Sequence, residues 1–263
     1  MPPDYAREFY QTLGQGAASS ADVLVPMVLE YLQPASVVDV GCGTAEWLAA
    51  FGRRGITDIV GVDGPWVDAD LLQVPKDRFR VVDLTQPLRL DRTFDLVVSL
   101  EVAEHLPPSA AETFVESLTN LGPVLLFSAA IPFQGGTHHV NERWPSYWVS
   151  LFSKRGFRAV DCLRPRLWNN VSVDLCYAQN SFFVVAESAL ARWPTLTAAA
   201  QLLPDPPLDL VHPRLFLQST AFAKGPKELM HGAVGAMRDR WLIRSRREAF
   251  EAQRRLAKWP SGR

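Results

Sequence analysis

Between residues 36 and about 186, short apolar and β-branched runs alternate with stretches of helical periodicity. The runs are apolar at successive positions, which is typical of strands buried on both faces of a parallel sheet covered by helices. The predicted strands are Ser36–Val40, Ile56–Asp63, Phe79–Leu84, Phe94–Leu100, Pro123–Ser128, Phe157–Leu163 and Ser181–Glu187. Helices are predicted between them at about 44–53, 107–120 and 144–155. This alternation predicts a doubly wound α/β domain.

Two of the crossovers differ from the others. Gly64–Asp77 and Thr85–Thr93 contain too many Pro and Asp residues for full helices, so they are predicted to be loops or single turns. Upstream of the first strand, Ala21–Leu32 has the pattern of an amphipathic helix, and a shorter helix is predicted before it. We therefore expect an N-terminal helical segment at residues 1–35 that acts as a lid.

The strand pattern stops after residue 188. Pro194 and the run LPDPPL at Leu203–Leu208 predict a linker-like stretch, and a long charged helix is predicted at about 225–257. The chain is thus divided into a helical lid (1–35), a sheet domain (36–188) and a C-terminal helical extension (189–263).

Composition places the chain among ordinary globular proteins. It has 263 residues, of which 48% are hydrophobic, and a formal net charge of −1. Intrinsic disorder and collagen-like repeats are excluded, and there is enough apolar content for a sizeable core. Three cysteines are too few for a disulfide framework. Charged residues near the N-terminus argue against a signal peptide, and no run approaches the ~20 apolar residues of a membrane span. We expect a cytoplasmic protein with no membrane partner.

The neutral total conceals two regions of opposite charge. Residues 224–263 contain eleven Lys and Arg against four acidic residues, a net charge of +7. Subtracting these from the totals of 27 and 28 leaves 16 basic and 24 acidic residues in 1–223, a net charge of −8. A basic helix docked on its own or a sister subunit's acidic domain, as in a homodimer, is one use of this asymmetry, and an anionic partner such as a nucleic acid is the other.

The first strand leads into DVGCGTA at Asp39–Ala45, and a helix follows. Glycines at such a turn let the backbone approach a ligand, and the N–H groups of the helix start face the same place. The third glycine of a dinucleotide fingerprint is missing, so a purely structural turn is the alternative. Asp63 ends the second strand, where an acid can bind both hydroxyls of a ribose. Asp83 ends the third, where it can accept from an adenine amino group beside the Leu84 amide.

These motifs, followed by the segment FDLVVSLEVAEHLP that begins with the fourth strand, resemble the class I S-adenosylmethionine (SAM)-dependent methyltransferases in order and spacing. The resemblance covers residues 36–186. It implies a Rossmann-like seven-stranded sheet whose last strand is antiparallel, with SAM as methyl donor and S-adenosylhomocysteine (SAH) as product. The cofactor-binding residues that it implies are Asp39, Gly41, Gly43, Asp63, Gly64, Asp83, Leu84 and Leu100.

A second group of candidate residues follows the fourth strand. If a helical turn begins at Glu101, then Glu104 and His105 fall on the same face. Two carboxylates and an imidazole converging without basic partners favour a divalent cation between them. The alternative is structural, because a Glu-His pair is also frequent at this place in methyltransferases that bind no metal, where the His caps or packs.

The loop after the fifth strand, GGTHHVNERW at Gly135–Trp144, adds two histidines at the same edge of the sheet. E-x-x-E-H followed by Gly-Thr-His resembles the metal-dependent O-methyltransferases of the ubiquinone-biosynthesis type and the small-RNA terminal 2′-O-methyltransferases. That resemblance implies a divalent metal such as Mg²⁺. Its implied ligands are Glu101, Glu104, His105 and His138. His139 is an additional histidine that leaves the choice between the two open.

The function predicted is SAM-dependent transfer of a methyl group to a hydroxyl of a small molecule, assisted by a divalent metal that lowers the pKa of that hydroxyl. A metal-free enzyme would instead use His138 or His139 as general base, with His105 close by. Further alternatives are an RNA 2′-O-methyltransferase, a SAM-binding module without transfer activity and a partner-binding protein on the same fold. Ala-, Arg-, Pro- and Val-rich usage is compatible with a bacterial enzyme of natural-product tailoring.

Overall fold

The computed structural model describes the backbone of residues 7–219 and the side chains of residues 14–218. Seven strands form one sheet in the order β3-β2-β1-β4-β5-β7-β6. The strands are β1 (Ser36–Val40), β2 (Asp58–Asp63), β3 (Phe79–Val81), β4 (Leu96–Leu100), β5 (Val124–Ser128), β6 (Phe157–Val160) and β7 (Phe182–Ala186). The first five are parallel, whereas β7 lies antiparallel between β5 and β6. The predicted Rossmann-like sheet with an antiparallel last strand is confirmed.

The α-helices follow the predicted alternation. They are α1 (Arg7–Tyr31), α2 (Glu46–Arg53), α3 (Ala111–Leu121), α4 (Pro145–Ser153), α5 (Arg164–Leu167), α6 (Leu175–Asn180), α7 (Pro194–Leu202) and α8 (Pro213–Ser219). The two Pro- and Asp-rich crossovers contain no α-helix, as predicted. Two predicted N-terminal helices are one continuous helix, because the connecting residues from Gly14 to Ser20 contain no proline that would break it.

Several strands are shorter than the apolar pattern predicts. The predicted third strand reached Leu84, but β3 ends at Val81, since only its first three residues pair with β2. Beyond that point the chain turns, with the Asp83 carboxylate accepting from the Thr85 N–H at 2.9 Å. The predicted sixth strand likewise ends at Val160 rather than Leu163. Apolar character therefore continues past the last paired residue in both cases.

Two hydrophobic layers cover the sheet. On one face, α1 and α2 contribute Leu24, Val28 and Phe51 to a core that also includes side chains of α5 and α6. On the other face, α3 and α4 contribute Phe114 and Trp148. Helices on both faces leave the carboxyl ends of the parallel strands as the open edge, which is where ligands bind in such folds.

The compact unit that contains the sheet extends to His212, and a second unit begins at Pro213. Helix α7, which the linker-like sequence pattern does not predict, belongs to the first unit. Its residues Leu196 and Ala200, and Trp193 just before it, are buried in the core beside α1. The packing of the sheet domain thus continues past residue 188, where the sequence places its end. The predicted helix at 225–257 lies outside the described residues. Among the helices that are described, none is long and apolar enough to cross a membrane.

Candidate active site

A cavity of about 500 Å³ opens at the carboxyl ends of β1, β4 and β5. Its walls come from the glycine loop after β1, the end of β4, the loop after β5, the segment at α6 and the N-terminal part of α1. Of the predicted site residues, the cavity is lined by Asp39, Gly41, Gly43, Leu100, Glu101, Glu104, His105 and His139. The edge of the sheet therefore brings the glycine loop and the Glu/His group into one space.

Glycine is needed for a different structural reason at each of the two loop positions, Gly41 and Gly43. Gly41 has a φ of +82°, and a Cβ there would lie 2.4 Å from Cγ2 of Val102. Its N–H donates to the Val62 carbonyl oxygen at 2.8 Å, which fixes the turn against β2. Gly43 has a φ of +52°, but a Cβ there would meet nothing within 4 Å. Gly41 is required by packing, whereas Gly43 leaves the backbone open to the cavity.

Asp39 is a buried acid at the cavity wall. One carboxylate oxygen, Oδ2, has no hydrogen-bond partner among the described residues. Burial, followed by the nearby charges of Asp63 and Glu46, raises its pKa well above the ordinary value. A buried acceptor in a negative environment suits a ligand that brings a positive charge.

The predicted nucleotide-binding acids lie outside the cavity. Asp63 is buried, and its carboxylate accepts from the N–H groups of Gly43 at 2.7 Å and Gly64 at 2.6 Å. Burial raises its pKa despite these bonds. The ring of Trp66 lies against Gly64, where a Cβ would be 2.2 Å from it. Asp63 thus organises the glycine loop in this structure, and Trp66 covers that corner.

Asp83 and Leu84 follow the end of β3. Asp83 is exposed, and hydrogen bonds from the Thr85 hydroxyl and backbone N–H lower the pKa of its carboxyl. Leu84 is buried in the core of the α3 face rather than at the cavity. Neither residue lines the cavity, and their predicted contacts with adenine stay a prediction.

Glu101 stands at the end of β4 in a strained conformation. Its φ is +54°, and its N–H donates to the carbonyl oxygen and hydroxyl of Ser128. The carboxylate accepts from Gln134 Nε2 at 2.7 Å and from Asn180 Nδ2 at 3.1 Å. Two neutral amides therefore hold Glu101 at the cavity wall. Neither amide is marked by a sequence motif.

Glu104 has no exposed surface, yet neither of its carboxylate oxygens has a hydrogen-bond partner among the described residues. Burial, followed by the charge of Glu101, raises its pKa well above the ordinary value. Its backbone carbonyl accepts the N–H groups of Val140 and Asn141, which ties the loop after β5 to this turn. An unpartnered buried carboxylate is costly unless a proton or a cation neutralises it.

His105 and His139 complete a group with Glu104. Their rings meet edge to face with centroids 4.8 Å apart. Burial, followed by the charge of His139, lowers the pKa of His105 to about 4. Glu104, His105 and His139 each offer a ligand atom, and these atoms lie within 4.8 Å of one another. A neutral His105 beside a buried carboxylate has the donor chemistry of a divalent-metal site.

This group differs from the predicted ligand set in two members. His139, not His138, faces His105. His138 is exposed and does not line the cavity, and the chain turns there with a φ of +61°. Glu101 lies next to Glu104 but is held by its two amides and is not part of the three-residue group. Sequence spacing could not distinguish two adjacent histidines.

Backbone strain is concentrated around the cavity. The non-glycine residues with positive φ in the described part of the chain are Ala45, Glu101, Phe133 and His138. The first starts α2 at the glycine loop, the second ends β4, and the other two lie in the loop after β5. Strain of this kind costs about 1–3 kcal/mol per residue and is typical of functional sites.

The sheet order, the reversed β7 and the cavity beside a glycine loop define the fold of the SAM-dependent methyltransferases. A family model described as a methyltransferase domain matches residues 19–158. The chain belongs to this family and is a SAM-dependent methyltransferase. A search of curated proteins finds no match.

Solved structures with the same fold are distant in sequence. Magnesium protoporphyrin IX methyltransferase from Synechocystis PCC 6803, with bound SAH, is 18% identical with a TM-score of 0.51, covering 65% of this chain and 84% of that one. DesVI from Streptomyces venezuelae is 17% identical with a TM-score of 0.50, covering 67% and 94%. The amino pentose methyltransferase CalS10 from Micromonospora echinaspora is 15% identical with a TM-score of 0.47, covering 68% and 95%.

Proposed function

We propose that the enzyme transfers the methyl group of SAM to a hydroxyl of a small molecule, with a divalent cation held by Glu104, His105 and His139. The observation that carries this proposal is the unpartnered carboxylate of Glu104, which faces the same cavity as the glycine loop. SAM supplies a methyl group activated by a sulfonium and leaves as SAH.

The residues around the glycine loop fit SAM. Gly43 leaves space for the methionine portion at the cavity wall, and the free oxygen of Asp39 can accept from its ammonium group. Glu101 and His139 line the same cavity and would lie near the bound cofactor. The positive sulfonium is also stabilised by the acidic surroundings.

The Glu/His group fits a divalent cation. Carboxylate and imidazole are ligands that Mn²⁺, Fe²⁺ and Zn²⁺ accept, and burial beside Glu101 raises the pKa of Glu104, so its charge is favourable only with a compensating cation. A cation there would supply the Lewis acidity that lowers the pKa of an acceptor hydroxyl. Glu101, fixed by Gln134 and Asn180 next to Glu104, would then orient the acceptor beside the cation.

A metal-free enzyme is the second candidate. The Nδ1 atom of His139 lies 3.0 Å from Oε1 of Glu142, an arrangement that also suits a general base. In this version His139 takes the proton of the hydroxyl as the methyl group arrives. Chelation followed by metal add-back separates the candidates in an assay of SAH release with hydroxylated acceptors. Full activity in excess chelator, with no metal found by elemental analysis, would contradict the role of the cation.

The charge of the cavity supports a small uncharged or cationic acceptor over RNA. The described residues that line it include five carboxylates and neither Lys nor Arg. A cavity of this sign repels phosphate groups. The RNA alternative would then depend on the basic residues of 224–263. Binding of a single-stranded RNA, measured between 50 and 200 mM salt, tests it, and a steep fall in affinity with salt is the outcome that would favour it.

A further inference from the structure

We propose that Glu142 is a positioning residue that fixes the ring of His139 with its proton on Nδ1, so that Nε2 presents a lone pair to the cavity. Glu142 lies in the loop after β5, outside the E-x-x-E-H and Gly-Thr-His motifs. The inference rests on the proposed role of His139 in the active site.

Three hydrogen bonds converge on this carboxylate. Oε1 accepts the Gly135 N–H at 2.7 Å and lies 3.0 Å from Nδ1 of His139, while Oε2 accepts the Phe133 N–H at 2.8 Å. The side chains of His139 and Glu142 are only 12% and 20% exposed, so water competes weakly for these bonds. One side chain thus holds both the loop backbone and the histidine ring.

The hydrogen bonds determine which nitrogen carries the proton. Both oxygens of Glu142 already accept backbone N–H groups, so the carboxylate acts as acceptor and Nδ1 of His139 as donor. In a neutral imidazole the other nitrogen then has a lone pair, which serves either a cation or a proton. A carboxylate behind a ligating imidazole is a recurrent way to orient such a ring.

Gly136 keeps the second nitrogen accessible. A Cβ at this position would lie 2.2 Å from Nε2 of His139 and 2.4 Å from Cε1. Both residues line the cavity. Gly136 therefore leaves space next to Nε2 of His139, and Glu142 holds the proton on Nδ1.

The direct test is the tautomer of His139 in metal-free protein. Long-range ¹H–¹⁵N spectra of histidine-labelled full-length protein at pH 8.5 distinguish the two nitrogens, and His139→Asn assigns the signal. We expect the Nδ1–H form in the native chain and a shift toward the Nε2–H form in Glu142→Ala, because no carboxylate remains to accept the Nδ1 proton. A native chain in the Nε2–H form, or an unchanged tautomer in Glu142→Ala, would overturn the proposal.

Cobalt binding gives a second readout. We expect Glu142→Gln to lower the affinity for Co²⁺ by 10- to 100-fold, while the exposed control Val140→Ala changes it less than twofold. Gly136→Ala should lower Co²⁺ affinity and leave the tautomer unchanged. If the native chain binds no Co²⁺, the metal in the proposed function is wrong, and the tautomer spectra still decide the role of Glu142. Equal Co²⁺ affinities of the native chain and Glu142→Gln would count against the proposed role of Glu142.

Discussion

At the scale of single residues, Glu104 shows how a functional group can lower the stability of the folded protein. Its carboxylate is fully buried beside that of Glu101, and neither of its oxygens has a close hydrogen-bond partner among the described residues. Because its pKa is raised in the native state, the folded protein binds this proton more tightly than the unfolded chain does. The contribution of Glu104 to stability is therefore greatest below the usual glutamate pKa of 4.5 and is lost as pH rises from there through the raised pKa of the folded state.

Replacing Glu104 with Gln removes this pH dependence. In metal-free protein we expect Glu104→Gln to be more stable than the native chain at pH 8, by about 1–3 kcal/mol, and to differ less at pH 5. Urea unfolding at both pH values measures the change. A variant that loses as much stability with rising pH as the native chain would show that another group causes the dependence.

The two glycines of the loop make a matched pair of substitutions. We expect Gly41→Ala to destabilise the protein by roughly 2–4 kcal/mol, since the left-handed backbone and the contact with Val102 both oppose a Cβ. Gly43→Ala should cost only about 1–2 kcal/mol, because nothing lies near its Cβ position. Its methyl group would instead occupy space at the cavity wall. Urea unfolding and calorimetric titration with SAH separate the effects: Gly43→Ala should lose at least tenfold in SAH affinity.

At the scale of elements, the turn between α3 and β5 is packed more tightly than its sequence indicates. A Cβ at Gly122 would lie 2.5 Å from the backbone carbonyl oxygen of Phe94, at the base of β4. The Phe94 N–H also donates to the Leu121 carbonyl oxygen at 2.7 Å. This close approach joins the end of α3 to the segment leading into β4.

We therefore expect Gly122→Ala to destabilise the protein by about 1–3 kcal/mol, because backbone atoms cannot move aside as a side chain can. Gly52→Ala is the control. Gly52 lies in α2 with no atom near its Cβ position, so alanine there should stabilise by about 0.5–1 kcal/mol. Thermal and urea unfolding of both variants check the opposite signs.

Strands and helices also show most clearly what could be predicted from the sequence and what could not. Apolar runs predict every strand of the described residues, because that signal is local. The helical turn predicted to begin at Glu101 does not form, since Glu101 has a φ of +54° and the short 3-10 turn covers only Ala103–His105. The contributions of Gln134, Asn180 and Glu142 could not be predicted. They depend on a loop turned by residues of positive φ and on α6 lying beside β5, which local periodicity does not contain. Helix α7 was missed because Pro194 indicates a break but stands in the first turn, where proline is tolerated.

At the scale of the whole molecule, one buried ion pair holds the segment at 203–212 against the sheet. Arg164 is 1% exposed, pairs with Asp161 at 2.8 Å, and donates to the carbonyl oxygens of Pro207 and Leu208. The segment is thereby fixed just before the second unit of the chain begins.

Replacing this arginine should loosen the segment. We expect Arg164→Met to cost about 3–5 kcal/mol, because Asp161 would remain buried without its partner. The control Arg166→Met removes an exposed pair with Glu30 and should cost no more than about 1 kcal/mol. Urea unfolding measures both, and limited proteolysis should cut the 203–212 segment faster in Arg164→Met. Equal stabilities would contradict the assigned role.

The position of β7 has a consequence for the order in which the protein is made. Within the described residues β6 pairs with β7 alone, and β7 ends 26 residues after β6 does. At about 5–20 residues per second, the ribosome needs roughly 1–5 s to add them. During that interval the nascent chain carries β6 without a partner strand, and the outer edge of β5 is also unpaired. Both of these edges are closed by β7, so the gap between β5 and β6 is filled in a single late step, and β3 and β6 remain the outer strands of the sheet.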